Sequence, residues 1–290
     1  MTQTTLETEA VRPPHPHPSA RPYRRTTVWL VVGFAALIMA LWWLGTPAGI
    51  QGKANAIGYA ICHRIADHSF QINGQPLPLC ARCTGIYLGV MTGFAILIAA
   101  GRGRASRLPP VRVLIMLAVF VGLMGLDGIN SFLYLFPGYS GPYEPQNWLR
   151  LITGSLAGIA MINLIYPVFH TSVWARPDPR RTLHSLWELT GMAAVVVLVD
   201  ALVITENPTL LLIFGLVSTV GPVLILTLSW SVLFLSMARR ENSAHTRRDL
   251  IIPLLAGLAL AFLMLGAIDG GRYLLTGTWD GFDFSTLAAR

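Results

Sequence analysis

Charge is scarce in this 290-residue chain, where Asp, Glu, Lys and Arg together make up 12%; a soluble domain carries about 25%. With 53% hydrophobic residues and a mean hydropathy of +0.57, that scarcity excludes an ordinary soluble globule and indicates a polytopic membrane protein. Lysine is almost absent, Lys53 being the single copy. The net charge of +7 is therefore nearly all arginine in short connecting segments, which is a topology signal before it is a nucleic-acid surface. No phosphate loop, serine nucleophile elbow, zinc-protease motif or nucleic-acid module occurs, so phosphoryl-transfer, ester-hydrolysis and nucleic-acid-binding classes are set aside. Cysteine is scarce as well, with three copies all lying in residues 62–89.

What the chain does have is apolar runs long enough to cross the roughly 30 Å of a hydrocarbon core. The first, Thr27 to Gly45, is longer than the apolar core of a signal peptide and is followed by no small-residue cleavage site, so it is expected to be an uncleaved anchor. Six more follow, at about 80–100, 111–136, 148–169, 185–204, 209–237 and 250–275. Backbone groups in lipid must be satisfied within the segment. The expectation is an all-α, polytopic transmembrane bundle of about seven spans filling residues 27–276. Residues 1–26, rich in Pro and polar groups, are expected to form a disordered cytoplasmic tail. His15 and His17 there have no partner ligands close in sequence. Residues 277–290 would be an extracytoplasmic C-terminal tail.

Orientation follows from counting Lys and Arg on the two sides of these spans. Fifteen fall on the side of the N-terminus, among them Arg24, Arg102, Arg107, Arg180 and Arg248. Six fall opposite: Lys53, Arg64, Arg82, Arg150, Arg272 and Arg290. The positive-inside rule then puts the N-terminus in the cytoplasm and the C-terminus outside. The loop at 46–83, which carries Cys62 and Cys80, becomes extracytoplasmic, where thiols meet oxidants unless a metal or burial protects them.

Three acids lie inside the spans: Asp127, Asp200 and Asp269. Each sits well toward the outer end of its helix, and Asp127 is about 22 Å beyond Arg112 at 1.5 Å per residue. A charge at that depth is costly unless paired, so each marks either an interhelical ion pair or a functional polar pocket. Asn130 and Arg272 follow Asp127 and Asp269 by three residues and share their helix faces. Asp127 or Asp269 paired with Arg150 or Arg272 is the expected lock. Asp200 has no polar neighbour on its helix, and the outer interface is one place open to it. The segments "GLDGINSFLYL" and "AIDGGRYLLTG" resemble each other weakly, as paired halves of a repeat do.

The cysteine segment reads "CHRIADHSFQINGQPLPLCARCTGIYLG". Pro76 and Pro78 favour a helix starting near Cys80. From there Cys80, Cys83 and Tyr87 share one face, while Gly85, Gly89 and Gly93 form a small-residue stripe suited to close helix packing on another. A helix N-terminus and the nearby Arg82 both favour thiolate over thiol. Thiolate chemistry serves metal binding and redox exchange alike. Cys62, Cys80 and Cys83 with His63 make a four-ligand set of the kind that holds zinc or another thiophilic metal, with His68 as the alternative nitrogen. A Cys80–Cys83 redox pair with Cys62 as resolving thiol is the competing arrangement. An odd cysteine count leaves a thiol over from any purely structural disulfide.

These residues, with "LDGIN" and "NWLRLITGSLAG" further on, resemble a prokaryotic family of multi-pass membrane proteins, domain of unknown function twenty eighty-five. The resemblance covers about residues 54–165. It implies a membrane location, groups Cys62, His63, Cys80, Arg82, Cys83, Asp127 and Arg150 as signature positions, and implies no activity.

The leading expectation is a multi-pass protein of the cell membrane with an extracytoplasmic Cys/His metal site beside a polar pocket of Arg82, Asp127, Asn130, Arg150, Asp269 and Arg272. Its only partner implied by the sequence is the lipid bilayer. A second possibility is a thiol–disulfide oxidoreductase passing electrons from Cys80 and Cys83 to a quinone. The motif also resembles quinone-coupled disulfide-generating enzymes, which carry a second cysteine pair where this chain has only Cys62. A third is a transporter or channel working through Asp127 and Asp269, with Asp-Gly breaks in the helices.

The orientation is open to direct measurement. In a cysteine-free background, single cysteines introduced near Gln71 should react with a membrane-impermeant maleimide in intact cells, and those near Ser106 only after permeabilisation. The reverse pattern would invert the compartment assigned to the cysteine loop.

Overall fold

The structure is a computed structural model that describes residues 23–136 and 138–280. The N-terminal tail with His15 and His17, and the C-terminal residues 281–290 with Arg290, lie outside the described residues. The chain runs through α1 (Arg25–Gly45), α2 (Gly49–Ile61), α3 (Ala81–Ala99), α4 (Val111–Leu133), α5 (Asn147–Val173), α6 (Leu186–Ile204), α7 (Pro208–Met237) and α8 (Ile251–Thr276). All but α2 are long and apolar enough to cross a membrane, which gives the seven spans expected. The protein is an all-α polytopic membrane bundle. Large side chains such as Leu126, Ile129 and Phe132 on α4 or Leu30, Leu41 and Leu44 on α1 stand exposed on its outside, a surface that only lipid would solvate.

Helix ends follow local chemistry. Asn207 accepts the N–H groups of Thr209 and Leu210, and Pro208 opens α7 where no amide partner is needed. Ser185 accepts the Glu188 N–H to start α6. Gly277, at φ +70°, takes the left-handed turn that closes α8.

At the end of the bundle where Arg residues concentrate, β3 (Ala105–Arg107) pairs in parallel with β4 (Asp178–Arg181). Beside it Arg102 makes a two-pronged ion pair with Glu188, 2.7 Å on each arm. At the opposite end a hairpin of β1 (Gln71–Ile72) and β2 (Gln75–Pro76) turns through Asn73 and Gly74. Both turn residues have positive φ, as a tight two-residue hairpin demands.

Residues 49–61 differ from the sequence expectation, which left them in a loop. They form α2, a 13-residue helix too short to span and without the long apolar run that signals a span. Its anchor is Lys53, which is buried. The ammonium donates to the Thr46 carbonyl (3.0 Å), to Thr46 Oγ1 (2.8 Å) and to the Trp43 carbonyl. It therefore caps the C-terminal end of α1, where free carbonyls and the helix dipole favour a cation.

The centre of the bundle is the α3–α5 pair, its most extensive interface, and α5 is the most deeply buried span. The glycine stripe on α3 meets a second one on α5. A Cβ on Gly85 would strike the Leu151 carbonyl, and one on Gly89 the Ser155 carbonyl. Reciprocally, Gly154 faces the Arg82 carbonyl and Gly158 the Ile86 carbonyl. The two backbones touch because neither helix has side chains there. Around this axis Val90, Ile159, Ile162, Met192, Val196 and Leu228 fill the core with residues of α3, α5, α6 and α7.

Backbone contact of this kind tolerates no added carbon. Gly89→Ala and Gly158→Ala should each lower stability by about 1–3 kcal/mol, seen as a reduced melting temperature in detergent. Gly122→Ala, where a Cβ meets nothing within 4 Å, should leave it unchanged or slightly raised. Equal effects at the three positions would mean that α3 and α5 are not in backbone contact.

Candidate metal centre

Cys62 ends α2, and the chain then turns through Arg64 at φ +54° before a 3-10 turn at Ala66–His68. The β1–β2 hairpin reverses it, and Cys80 becomes the N-cap of α3 with Cys83 in the first turn. What brings the ends together is Gly58, where a Cβ would strike the Pro78 carbonyl. α2 thus lies directly on the segment leading into α3. The three sulfurs lie within 4.8 Å of one another, packed with Leu79, Ile61 and Tyr87. Cys62 and Cys80 are buried.

Cys62 is the electron-rich member. Its Sγ accepts the backbone N–H of Arg64 at 3.4 Å and that of Cys80 at 3.3 Å. Hydrogen bonds from the Cys80 and Cys83 thiols hold Cys62 well below the usual thiol value. The same bond to Cys62 pushes Cys80 up to about 12.

His63 stands beside the trio, and neither it nor His68 comes within the 4.8 Å spacing of all three sulfurs. His63 Nδ1 accepts the Ile65 N–H at 3.1 Å, and its ring meets that of His68 edge-on at 5.7 Å. Burial lowers His63 from the usual imidazole value, the Cys62 thiolate partly offsets this, and Arg82, Arg150 and Arg272 push it down further. Burial, then Arg150, lowers His68 to about 4. Arg272 holds the turn in place from α8, donating to the carbonyls of Tyr59 (2.6 Å), Cys62 (2.8 Å) and His63 (3.4 Å). Its guanidinium carbon also lies 4.0 Å from the Tyr59 ring centre.

A polar network joins α3, α4 and α5 next to this turn. Arg82 pairs with Asp127 at 2.5 Å and donates to Ser131 Oγ at 3.0 Å. Arg82 thus serves Asp127, the partner that the sequence had assigned to Arg150 or Arg272. The two helices are neighbours only through the fold, and spacing along the chain carries no sign of it. Arg150 instead donates to Ser131 Oγ (3.4 Å) and to Asn147 Oδ1 (2.8 Å). Tyr143 donates its hydroxyl to Asp127 Oδ1 at 3.1 Å, and Asn130 donates to the Tyr143 carbonyl at 3.0 Å.

The other two acids have separate partners. Asp200 is fully buried and accepts from Ser155 Oγ at 2.8 Å, so it lies in the bundle core and not at the outer interface; its polar neighbour comes from α5. Asp269 accepts from the Trp42 indole N–H at 3.1 Å, one helix turn from Arg272. Ser131, Tyr143, Ser155 and Trp42 are the polar partners that sequence reasoning missed. Ser131, four residues after Asp127 on the same face, carried a detectable signal; the others had none.

The Arg82–Asp127 pair is mostly buried, with side chains 17% and 2% exposed, so removing one partner strands the other. Arg82→Gln and Asp127→Asn should each cost about 3–5 kcal/mol, and the double variant less than the sum. Thermal unfolding of the four proteins in detergent gives the coupling, and strict additivity would show that the pair is not energetically joined.

The family comparison points to the same segment. The family model described as "Predicted membrane protein (DUF2085)" matches residues 62–164, from the first cysteine to the middle of α5. An uncharacterized protein of Methanocaldococcus jannaschii is 31% identical over 121 residues, which is 42% of this chain and 71% of that protein. An uncharacterized protein of Methanothermobacter thermautotrophicus is 36% identical over 112 residues, 38% of this chain and 88% of that protein. No solved structure matches the chain. The matched segment contains the three cysteines, Arg82, Asp127 and Arg150, while α1 and α6 to α8 lie beyond it. On the strength of these relatives the chain belongs to the DUF2085 family of predicted membrane proteins.

Proposed function

We propose that this is a metal-binding protein of the cell membrane, holding one thiophilic ion between Cys62, Cys80 and Cys83 at its extracytoplasmic face. The observation that carries the proposal is the gathering of three sulfurs within 4.8 Å, with one already a hydrogen-bond acceptor for two backbone amides. Zinc–thiolate bonds of about 2.3 Å put tetrahedral sulfurs about 3.8 Å apart, so the trio closes on an ion with shifts of about 1 Å. Amide donors to sulfur stabilise thiolate and keep the ligand oriented, the role that surrounding hydrogen bonds play in metal sites generally.

A fourth ligand would come from His63 or His68, the two imidazoles of the turn that follows Cys62. Burial lowers both imidazoles from the usual value, which favours the neutral form that a ligand needs. Three thiolates on a divalent ion carry net negative charge. Arg82, Arg150 and Arg272, whose charges reach His63, and Arg64, whose charge reaches Cys62, offset it. Zinc or copper(I) suits this soft donor set; a hard ion such as calcium does not.

Protein purified anaerobically should contain a near-stoichiometric thiophilic metal with its three thiols shielded from alkylation. Cys62→Ser, Cys80→Ser and Cys83→Ser should each release the metal and lower the melting temperature by similar amounts, since the ligands act as a unit. His63→Ala and His68→Ala should differ. Ligand thiols lose protons on binding, so affinity should fall as pH falls. Metal-free protein with a Cys80–Cys83 disulfide that a quinone regenerates after reduction would overturn the proposal in favour of thiol–disulfide exchange.

A further inference from the structure

Between α1 and α8 lies a cavity of about 510 Å³, in the size range of small-molecule sites. Its walls are apolar and aromatic, with Trp42, Phe262, Tyr273 and Trp279 among them. One charged side chain, Asp269, lines it. That side chain is only 2% exposed. Its Oδ2 accepts the Trp42 indole N–H at 3.1 Å, while Oδ1 has no hydrogen-bond partner among the described residues.

A buried carboxylate oxygen without a donor is strongly unfavourable, and so it points to a donor that comes from elsewhere. The nearest cations of the chain are otherwise engaged. Lys53 donates to three oxygens at the end of α1, and Arg272 to the carbonyls of Tyr59, Cys62 and His63. The aromatic lining fits the same kind of visitor. Trp42 and Phe262 meet edge-on at 4.9 Å, and Tyr273 and Trp279 lie tilted at 5.4 Å, a setting in which ring faces attract a desolvated cation. On the rim Leu41, Leu263 and Tyr273 are exposed, so the cavity opens sideways toward the lipid.

We propose that this cavity binds a protonated amine carried on an apolar body, with the ammonium donating to Asp269 Oδ1 beside the aromatic rings. Two sources share that chemistry, an aminophospholipid headgroup and a soluble amphiphilic amine. The site stands independently of the thiol trio.

The full-length protein in a neutral maltoside micelle, free of amine lipids, is titrated by calorimetry with octylammonium and, separately, with octanol as the uncharged counterpart. Saturable uptake of the amine alone is expected. Asp269→Asn keeps the shape and the Trp42 contact but removes the charge, and should weaken binding by about tenfold or more. Gly270→Leu gives an independent test. Gly270 lines the cavity, and a Cβ there meets nothing within 4 Å, so the larger side chain has room and should block entry without disturbing the fold. Native mass spectrometry then separates the sources. Retention of phosphatidylethanolamine over phosphatidylglycerol, lost in Asp269→Asn, assigns the amine to a lipid; octylammonium binding without that preference assigns it to a soluble amphiphile. Equal uptake of octanol and octylammonium, or undiminished binding in both variants, would overturn the proposal and make the cavity a plain acyl-chain crevice.

Discussion

Backbone contact between α3 and α5 organises the molecule. Gly85 and Gly89 press on the Leu151 and Ser155 carbonyls while Gly154 and Gly158 press on those of Arg82 and Ile86. In lipid no hydrophobic force drives helices together, so association rests on packing, and small residues in register give the largest contact area. Much of the polar chemistry at the cysteine end of the bundle is referenced to that seam. Cys80, Arg82 and Cys83 sit at its α3 end, and Arg150 enters from α5 only a few residues before its glycines.

The three acids inside the bundle each take a partner from outside their own helix. Asp127 has Arg82 and Tyr143, Asp200 has Ser155, and Asp269 has Trp42. Asp200 and Asp269 each keep one oxygen without a donor among the described residues, and of the two only Asp269 lines the aromatic cavity, whereas at Asp127 both oxygens are engaged. The same side chain type thus serves as an interhelical lock at Asp127 and as a cavity wall at Asp269; what separates Asp269 from Asp200, whose second oxygen also lacks a donor, is the cavity beside it.

The thiol trio and the aromatic cavity are joined through α8. Asp269 and Arg272 lie one turn apart on that helix, and Arg272 holds the carbonyls of Cys62 and His63. α8 is outside the segment that the family model matches, while the three cysteines are inside it. The matched segment supplies the sulfurs, and the later helices supply one of the supports that keep the Cys62 turn in place.

Composition and run length by themselves determined the class and the spans. The seven spans lie close to the limits read from hydropathy, because the need to satisfy backbone groups in lipid leaves little choice but helix. The face carrying Cys80, Cys83 and Tyr87, and the glycine stripe on the opposite face, were equally legible, since helical period is a local property. Partnership was not local. That Arg82 rather than Arg150 or Arg272 meets Asp127, that Ser155 reaches Asp200, and that Gly58 lays α2 against Pro78 so that Cys62 joins the other two sulfurs were decided only by the tertiary structure. Those contacts depend on which helix faces meet and at what rotation, and side chains far apart in the chain carry no record of that until the backbones have packed.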